Sequence, residues 1–317
     1  MTWIALATYR RPNHQGTELA PALVLQGENI YDLKAAVAAG LPAVPARWLS
    51  DGVAAMLADW GTAQAWLRQA APMAEDMAAS GRIQAVAGGA SRVAAPWVPQ
   101  RLFCAASNYS AHANEMGTKL AAKSQSKPYM FLKLANTVIG QGETIQMPPE
   151  TQQLDWEVEL AAVIGKRCRR IAVEDALDVV AGYTVLNDVT ARDLNLRTDY
   201  PFKHDWFQGK CHDTFAPIGP WVVPAWQIPD PQAVQLRLDV NDQSMQEDST
   251  AHMIWTLREQ IAYLSTIVTL EPGDVVGTGT PTGVGMGRGI YLKHGDTVTA
   301  TVVGIGSLSN EVRAESN

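Results

Sequence analysis

The chain has 317 residues, enough for one large domain or two ordinary ones with a sizeable buried core. With 47% hydrophobic and 18% charged residues it is not a disordered chain, and 25 Lys+Arg against 32 Asp+Glu leaves a net charge of −7, which argues against nucleic acid as a partner because phosphate binding needs clustered cations. No stretch approaches the roughly 20 apolar residues of a membrane helix, and the first residues lack the pattern of a signal peptide. Three cysteines (Cys104, Cys168, Cys211) without CxxC spacing fit reduced thiols in the cytoplasm better than a disulfide or zinc framework.

In chain order, Trp3–Thr8 and Leu23–Leu25 are predicted strands, separated by a polar loop at Pro12–Gly16. Residues 54–80 place apolar side chains near helical spacing, interrupted by Gly61 and Pro72. The small and polar Gly81–Ala95, followed by Pro96-Trp97-Val98-Pro99, sets a boundary near residue 98. It divides a small N-terminal α/β domain (1–98) from a strand-rich α+β domain (99–317).

In the second region, Leu160–Ile164 is a continuous apolar run ended by Gly165, which suits a buried strand. Tyr183–Leu186 is another apolar strand. Leu236–Val240 and Thr297–Val303 alternate apolar and polar residues beside the turns Asn241-Asp242 and His294-Gly295-Asp296. Helices are predicted over Val173–Ala181, opened by acidic Glu174 and Asp175, and over Met253–Thr269.

Four constellations carry chemistry. In Leu154-Asp155-Trp156-Glu157-Val158-Glu159-Leu160, strand geometry points Glu157 and Glu159 the same way. Two adjacent carboxylates repel unless water screens them or a cation lies between them, so the pair is either an acidic edge facing water or a site for a hard divalent ion. Asp188, in Asn187-Asp188-Val189-Thr190-Ala191-Arg192-Asp193, follows an apolar strand, where a carboxylate can complete such a site. Arg192 can hold a substrate carboxylate in a bidentate pair, or form a surface pair with a neighbouring Asp.

His112 and Glu115 stand at i, i+3, so on one helical turn the carboxylate can orient the imidazole for taking a proton from water. An exposed helix with an incidental His and Glu has the same spacing. The run Gly277-Thr278-Gly279-Thr280-Pro281-Thr282-Gly283-Val284-Gly285 lacks the Lys-Ser/Thr ending of a P-loop. Pro281 breaks the strand–GxGxxG–helix context of a dinucleotide site, which speaks against a nucleotide-dependent oxidoreductase. The run is then a plain turn, or a tight loop bringing amides and hydroxyls to a ligand.

Together and in this order, CAASNYSAHANEMG, KPYMFLK, LDWEVELAAVIGK, VAGYTVLNDVTARDL, the Trp206–Pro217 stretch, LEPGDVVGTGTPTGVG and LKHGDTVTATVVGIGSLSNEV resemble the fumarylacetoacetate hydrolase family, from about Arg101 to Val312. The N-terminal region resembles, more weakly, the variable extra domain of many members. The resemblance implies a mixed β-sandwich roll holding Mg²⁺ or Mn²⁺, with Ca²⁺ an option, on Glu157, Glu159 and Asp188. His112 and Glu115 match the family's water-activating pair, on a lid spanning residues 107–125. Lys210 matches a lysine beside the substrate's keto or enolate oxygen, and Arg192 stands beside the site in the ARD motif. Tyr109, Thr280, which would bind the substrate carboxylate, and Lys133 at the pocket edge are implied substrate contacts. Asn195 stands where many relatives carry Gln, which implies a different pocket size or substrate choice.

The activity implied is hydrolysis of the C–C bond of a 2,4-diketo acid such as an acylpyruvate. Decarboxylation or isomerisation of a 2-oxo dioate is the alternative, and a catalytically silent binding subunit is a further one. The resemblance also implies a homodimer.

Overall fold

The computed structural model describes residues 2–14, 16–115, 117 and 119–315. Its spine is a ten-stranded mixed sheet. In spatial order this sheet runs Asn29–Asp32, Gly16–Leu25, Ile4–Asn13, Ala216–Pro224, Val180–Asn187, Val158–Ile164, Val275–Gly277, Leu102–Ala106 and Tyr129–Lys133. Val138–Ile139 pairs off this path with Ala216–Pro224. A second, five-stranded sheet takes the order Gln243–Ser249, Gln235–Val240, Thr297–Val302, Gly306–Ala314 and Ile145–Met147.

Alternation along the central strand explains the layering. Val158, Leu160, Ala162 and Ile164 face a core shared with Leu236, Leu238, Val298 and Ala300 of the five-stranded sheet. Ala161 and Val163 face the opposite core, which is filled by Trp48, Trp60, Trp66 and Leu67 from the N-terminal helices Ala46–Ser50 and Trp60–Ala79. The ten-stranded sheet therefore lies between a helical layer and a second sheet, a strand-rich α+β architecture. Residues on the two sides of position 98 share this sheet, because Ile4–Asn13 pairs with Ala216–Pro224 at Leu6↔Val222.

Three local departures from the sequence expectation have clear causes. The helical stretch breaks at Asp59, between Gly52–Ala58 and Trp60–Ala79, rather than at Gly61 or Pro72: Trp60–Ala79 is continuous, with Gly61 in its first turn. A buried stripe of Ala63, Trp66, Leu67, Ala70, Ala74 and Met77 outweighs the lost hydrogen bond at Pro72. The helix expected over Val173–Ala181 is only a 3₁₀ turn, Ala176–Val179, before the strand Val180–Asn187. β-Branched Val179 and Val180 favour the strand, and Gly182 admits a close approach by the Val223 backbone that a methyl group would block.

The helix expected from Met253 starts at Leu257, because Thr256 and Glu259 form a reciprocal capping box. The polar loop at Pro12–Gly16 is the tip of a hairpin whose strands pair through to Asn13↔Gly16.

Candidate active site

Sheet register builds the centre. Leu186 pairs with Glu159 and Asn187 with Val158, so Asp188 emerges beside Glu157, and its N–H donates to the Glu157 carbonyl at 2.9 Å. Glu157, Glu159 and Asp188 are all buried, with one carboxylate oxygen from each within 4.8 Å of the others. The strand start is held open by side chains: Asn187 Oδ1 accepts from the Glu157 N–H at 2.9 Å, and Gln246 Oε1 from the Val158 N–H at 3.0 Å.

Two of the three carboxylates have cationic partners. Lys210 Nζ donates to Glu157 Oε2 at 2.9 Å and Asp188 Oδ2 at 2.7 Å, while Lys133 Nζ reaches Asp188 Oδ1 at 2.5 Å. Arg192 Nη2 donates to Glu157 Oε1 at 2.5 Å. Burial alone would push the Glu157 carboxyl up, yet Lys210 and Arg192 outweigh it and hold the group below the usual carboxylate range. Burial would likewise lower the Lys210 ammonium, and Asp188 and Glu157 reverse the sign.

Glu159 is different. Both its oxygens are buried without a hydrogen-bond partner among the described residues. Burial first, then the charges of Asp188 and Glu157, push its carboxyl well above the usual range. An orphaned carboxylate within reach of two others is a hard-oxygen donor set lacking one positive charge. Mg²⁺ or Mn²⁺ fits it by ligand chemistry.

The helix Ser110–Glu115 brings the second constellation to the same place. His112 Nδ1 lies 3.4 Å from Glu115 Oε2, and the Gly283 N–H donates to both Glu115 oxygens at 3.0 and 3.1 Å. Partial burial would raise Glu115, but His112 and the Gly283 N–H keep it below the ordinary value, a carboxylate suited to holding the imidazole. The glycine-rich run thus spends its amides on protein carboxylates: Gly283 on Glu115, and Gly285 and Met286 on Asp155 at 2.6 and 3.0 Å. A methyl group at Gly287 would overlap the Glu115 side chain, so that glycine forms the notch in which Glu115 sits.

A cavity of about 790 Å³ opens over this floor, within the usual range for small-molecule sites. His112, Glu157, Arg192, Asn195, Lys210 and Thr280 all line it. Other expected contacts lie elsewhere or are already engaged. Lys133 is not at the pocket edge but buried beneath Asp188, one step deeper along the strand face that carries Tyr129 and Phe131. Tyr109 is 1% exposed and packed in the core, away from the cavity wall. Arg192 is not a free carboxylate clamp, since its Nε is held by Asp155 Oδ2 at 2.7 Å and its Nη2 by Glu157.

Thr280 lines the cavity with its hydroxyl already donating to the Val158 carbonyl at 2.9 Å and accepting from Gln246 Nε2 at 2.8 Å. Of the expected lid, Met116 and Thr118 lie outside the described residues. Asn114, Leu120 and Lys123 of that segment border the cavity.

Asp155 was not singled out in the sequence, although it shares strand parity with Glu157 and Glu159. It is fully buried and accepts from Arg192 and from the Trp156, Gly285 and Met286 amides. The i, i+2, i+4 acidic spacing was the available signal.

Comparison with known proteins bears on this geometry. Residues 101–313 match the family model described as fumarylacetoacetate (FAA) hydrolase C-terminal. An uncharacterized protein of Pyrococcus abyssi is 43% identical over 220 residues, 68% of this chain and 92% of its own length. The structure is similar to that of maleylpyruvate hydrolase from Sphingobium sp. SYK-6 in complex with manganese(II) ion and pyruvate, at 27% identity and a TM-score of 0.71, covering 100% of both chains. It is also similar to 5-carboxymethyl-2-hydroxymuconate delta-isomerase from Mycobacterium smegmatis, at 28% identity and a TM-score of 0.66, again over 100% of both chains. Since the family model covers well over half of the 317 residues, including the carboxylate floor, the His112–Glu115 helix and the glycine-rich loop, this chain belongs to the fumarylacetoacetate hydrolase family.

Proposed function

We propose that the protein is a divalent-metal-dependent hydrolase that cleaves the C–C bond of a 2,4-diketo acid, giving pyruvate or an analogous 2-oxo acid and a carboxylic acid. The observation that carries this reading is that His112, with Glu115 at its Nδ1, lines the same cavity as Glu157 and Lys210. A floor alone would serve any chemistry through a 2-oxo acid enolate, whereas a base beside it gives water activation a purpose. Mn²⁺ and pyruvate in the Sphingobium relative support the same metal class and product here.

Glu157, Glu159 and Asp188 would hold Mg²⁺ or Mn²⁺. The bound ion would supply stabilisation of the negative charge that develops on the substrate oxygens. His112, with Nδ1 turned to Glu115, keeps Nε2 free to take a proton from water. The resulting hydroxide adds to the distal ketone carbon, and the bond between that carbon and the neighbouring methylene then breaks. Its electron pair stays on the methylene carbon as a pyruvate enolate, whose oxygen the Lys210 ammonium faces. Protonation at carbon completes pyruvate, and the acyl half leaves as the carboxylic acid.

We further propose a cytoplasmic homodimer, in which a second copy would cover the exposed apolar side chains of Phe202 and Phe207. Among the described residues no helix is long and apolar enough to cross a membrane.

The test is product analysis with metal-depleted protein given Mg²⁺ or Mn²⁺ and a set of acylpyruvates, with oxaloacetate alongside. Metal-dependent release of pyruvate with the matching carboxylic acid is the expected result. The likeness to the isomerase favours one second reading, conversion of a 2-oxo dioate. Pyruvate from oxaloacetate alone, or dioate isomerisation without cleavage, would replace the hydrolase reading with that one.

A further inference from the structure

Beyond the reacting centre, the cavity has one wall built of stacked rings. On the strand Tyr129–Lys133, Tyr129 and Phe131 share a face, and both pack on Trp206 at the start of the helix Trp206–Lys210. Phe131 and Trp206 are stacked with ring centroids 4.9 Å apart, Tyr129 lies 5.7 Å from Trp206, and His204 stacks at 6.2 Å with its plane 30° from that of Trp206. All four rings line the cavity. Tyr129–Lys133 is an edge strand, so among the described residues no further strand pairs with it on that side.

The wall begins at the chemistry. Lys210 Nζ, which bridges Glu157 and Asp188, sits 5.2 Å from the Phe131 ring centroid. A 2-oxo acid head placed on Lys210 and the carboxylates therefore has Phe131, and behind it Trp206, as a neighbouring wall. The Trp206 indole N–H is buried and has no partner among the described residues. Buried indole N–H groups usually find an acceptor, and a substrate oxygen is one whereas an aryl ring is not, so the stacked faces rather than this donor bear on the acyl group. Among the described residues Glu157 is the one acidic lining side chain, and it is already paired with Lys210 and Arg192. Leu120, Ile254 and Trp255 add further apolar surface around the cavity.

We infer that the acyl half of the substrate is an aromatic group and that the preferred substrate class is an aroylpyruvate, with Phe131 and Trp206 as the specificity-determining side chains. This deepens the hydrolase reading and rests on it. Rings prefer stacked or edge-on partners and gain beyond simple burial, so an aryl group uses this wall where a methyl or short alkyl group cannot. A dioate tail would instead use Lys119 and Lys127, which also line the cavity.

The experiment compares acetylpyruvate, hexanoylpyruvate, fumarylpyruvate and benzoylpyruvate on the Mn²⁺-loaded full chain, for the wild type and for Trp206→Ala and Trp206→Phe. The expected result is a KM for benzoylpyruvate about tenfold below that for hexanoylpyruvate, an advantage lost in Trp206→Ala and largely kept in Trp206→Phe. Retention of advantage in Trp206→Ala, equal KM values for the aromatic and alkyl substrates, or a preference for fumarylpyruvate that falls in Lys127→Ala would overturn the inference. If no acylpyruvate is cleaved, the hydrolase reading fails, and calorimetric binding then decides the wall separately. Tighter binding of benzoylpyruvate than of hexanoylpyruvate supports it, and equal binding overturns it.

Discussion

Between residues 2 and 98, buried side chains are apolar apart from Thr8 among the described residues, and ion pairs such as Arg47–Asp59 and Arg11–Glu18 sit where water reaches them. After residue 98, Lys133, Asp155, Glu157, Asp188, Arg192 and Lys210 are buried within one hydrogen-bonded network, with Glu159 buried beside it. Both regions share the ten-stranded sheet and its packing rules, so the fold does not impose this difference. Burying charge costs several kcal/mol per ion unless partners compensate. The molecule concentrates that cost at this centre, and there burial and the neighbouring carboxylates outweigh the compensation that Lys210 gives Glu159.

That contrast can be sharpened by removing the buried groups in turn. The largest effect is expected at Asp155, which ties Arg192 to the Gly285 and Met286 amides. Asp155→Ala should cost about 3–5 kcal/mol in urea unfolding and abolish turnover, because it strips a buried guanidinium of one partner and orphans backbone donors. A loss below 1 kcal/mol, the scale of an exposed pair, would break the comparison.

A smaller and more selective effect is expected at Gly287, where a methyl group would evict Glu115 from its notch beside Gly283. Gly287→Ala should lower kcat by roughly 10–100-fold with Mn²⁺ affinity unchanged, since it misplaces the base and leaves the floor intact. Unchanged kcat would mean that Glu115 does not act from this position.

Much of the site was legible in the chain because its signals are local. Glu159 lies in the strand Val158–Ile164 and Glu157 just before it, and their carboxylates still converge, while the three-residue spacing of His112 and Glu115 becomes one helical turn. What spacing could not convey is which distant groups meet. Lys133 lies under Asp188 rather than at the rim, and Arg192 is taken by Asp155, because both were placed by segments that converge only in the folded sheet. The amides of the glycine-rich loop face protein carboxylates for the same reason. Local chemistry also misled in the fold: acidic residues before Val179-Val180 suggested a helix start, while burial between two strands decided for β-structure.

The central claim is that the Glu157–Glu159–Asp188 floor is a divalent-ion centre, and its most direct test is calorimetric titration of Mn²⁺ into metal-free wild type and Glu159→Gln. One site per chain in the wild type, weakened at least about 100-fold in a variant that keeps its fold, is the predicted result. Equal affinity in both proteins, or no site in the wild type, would contradict it.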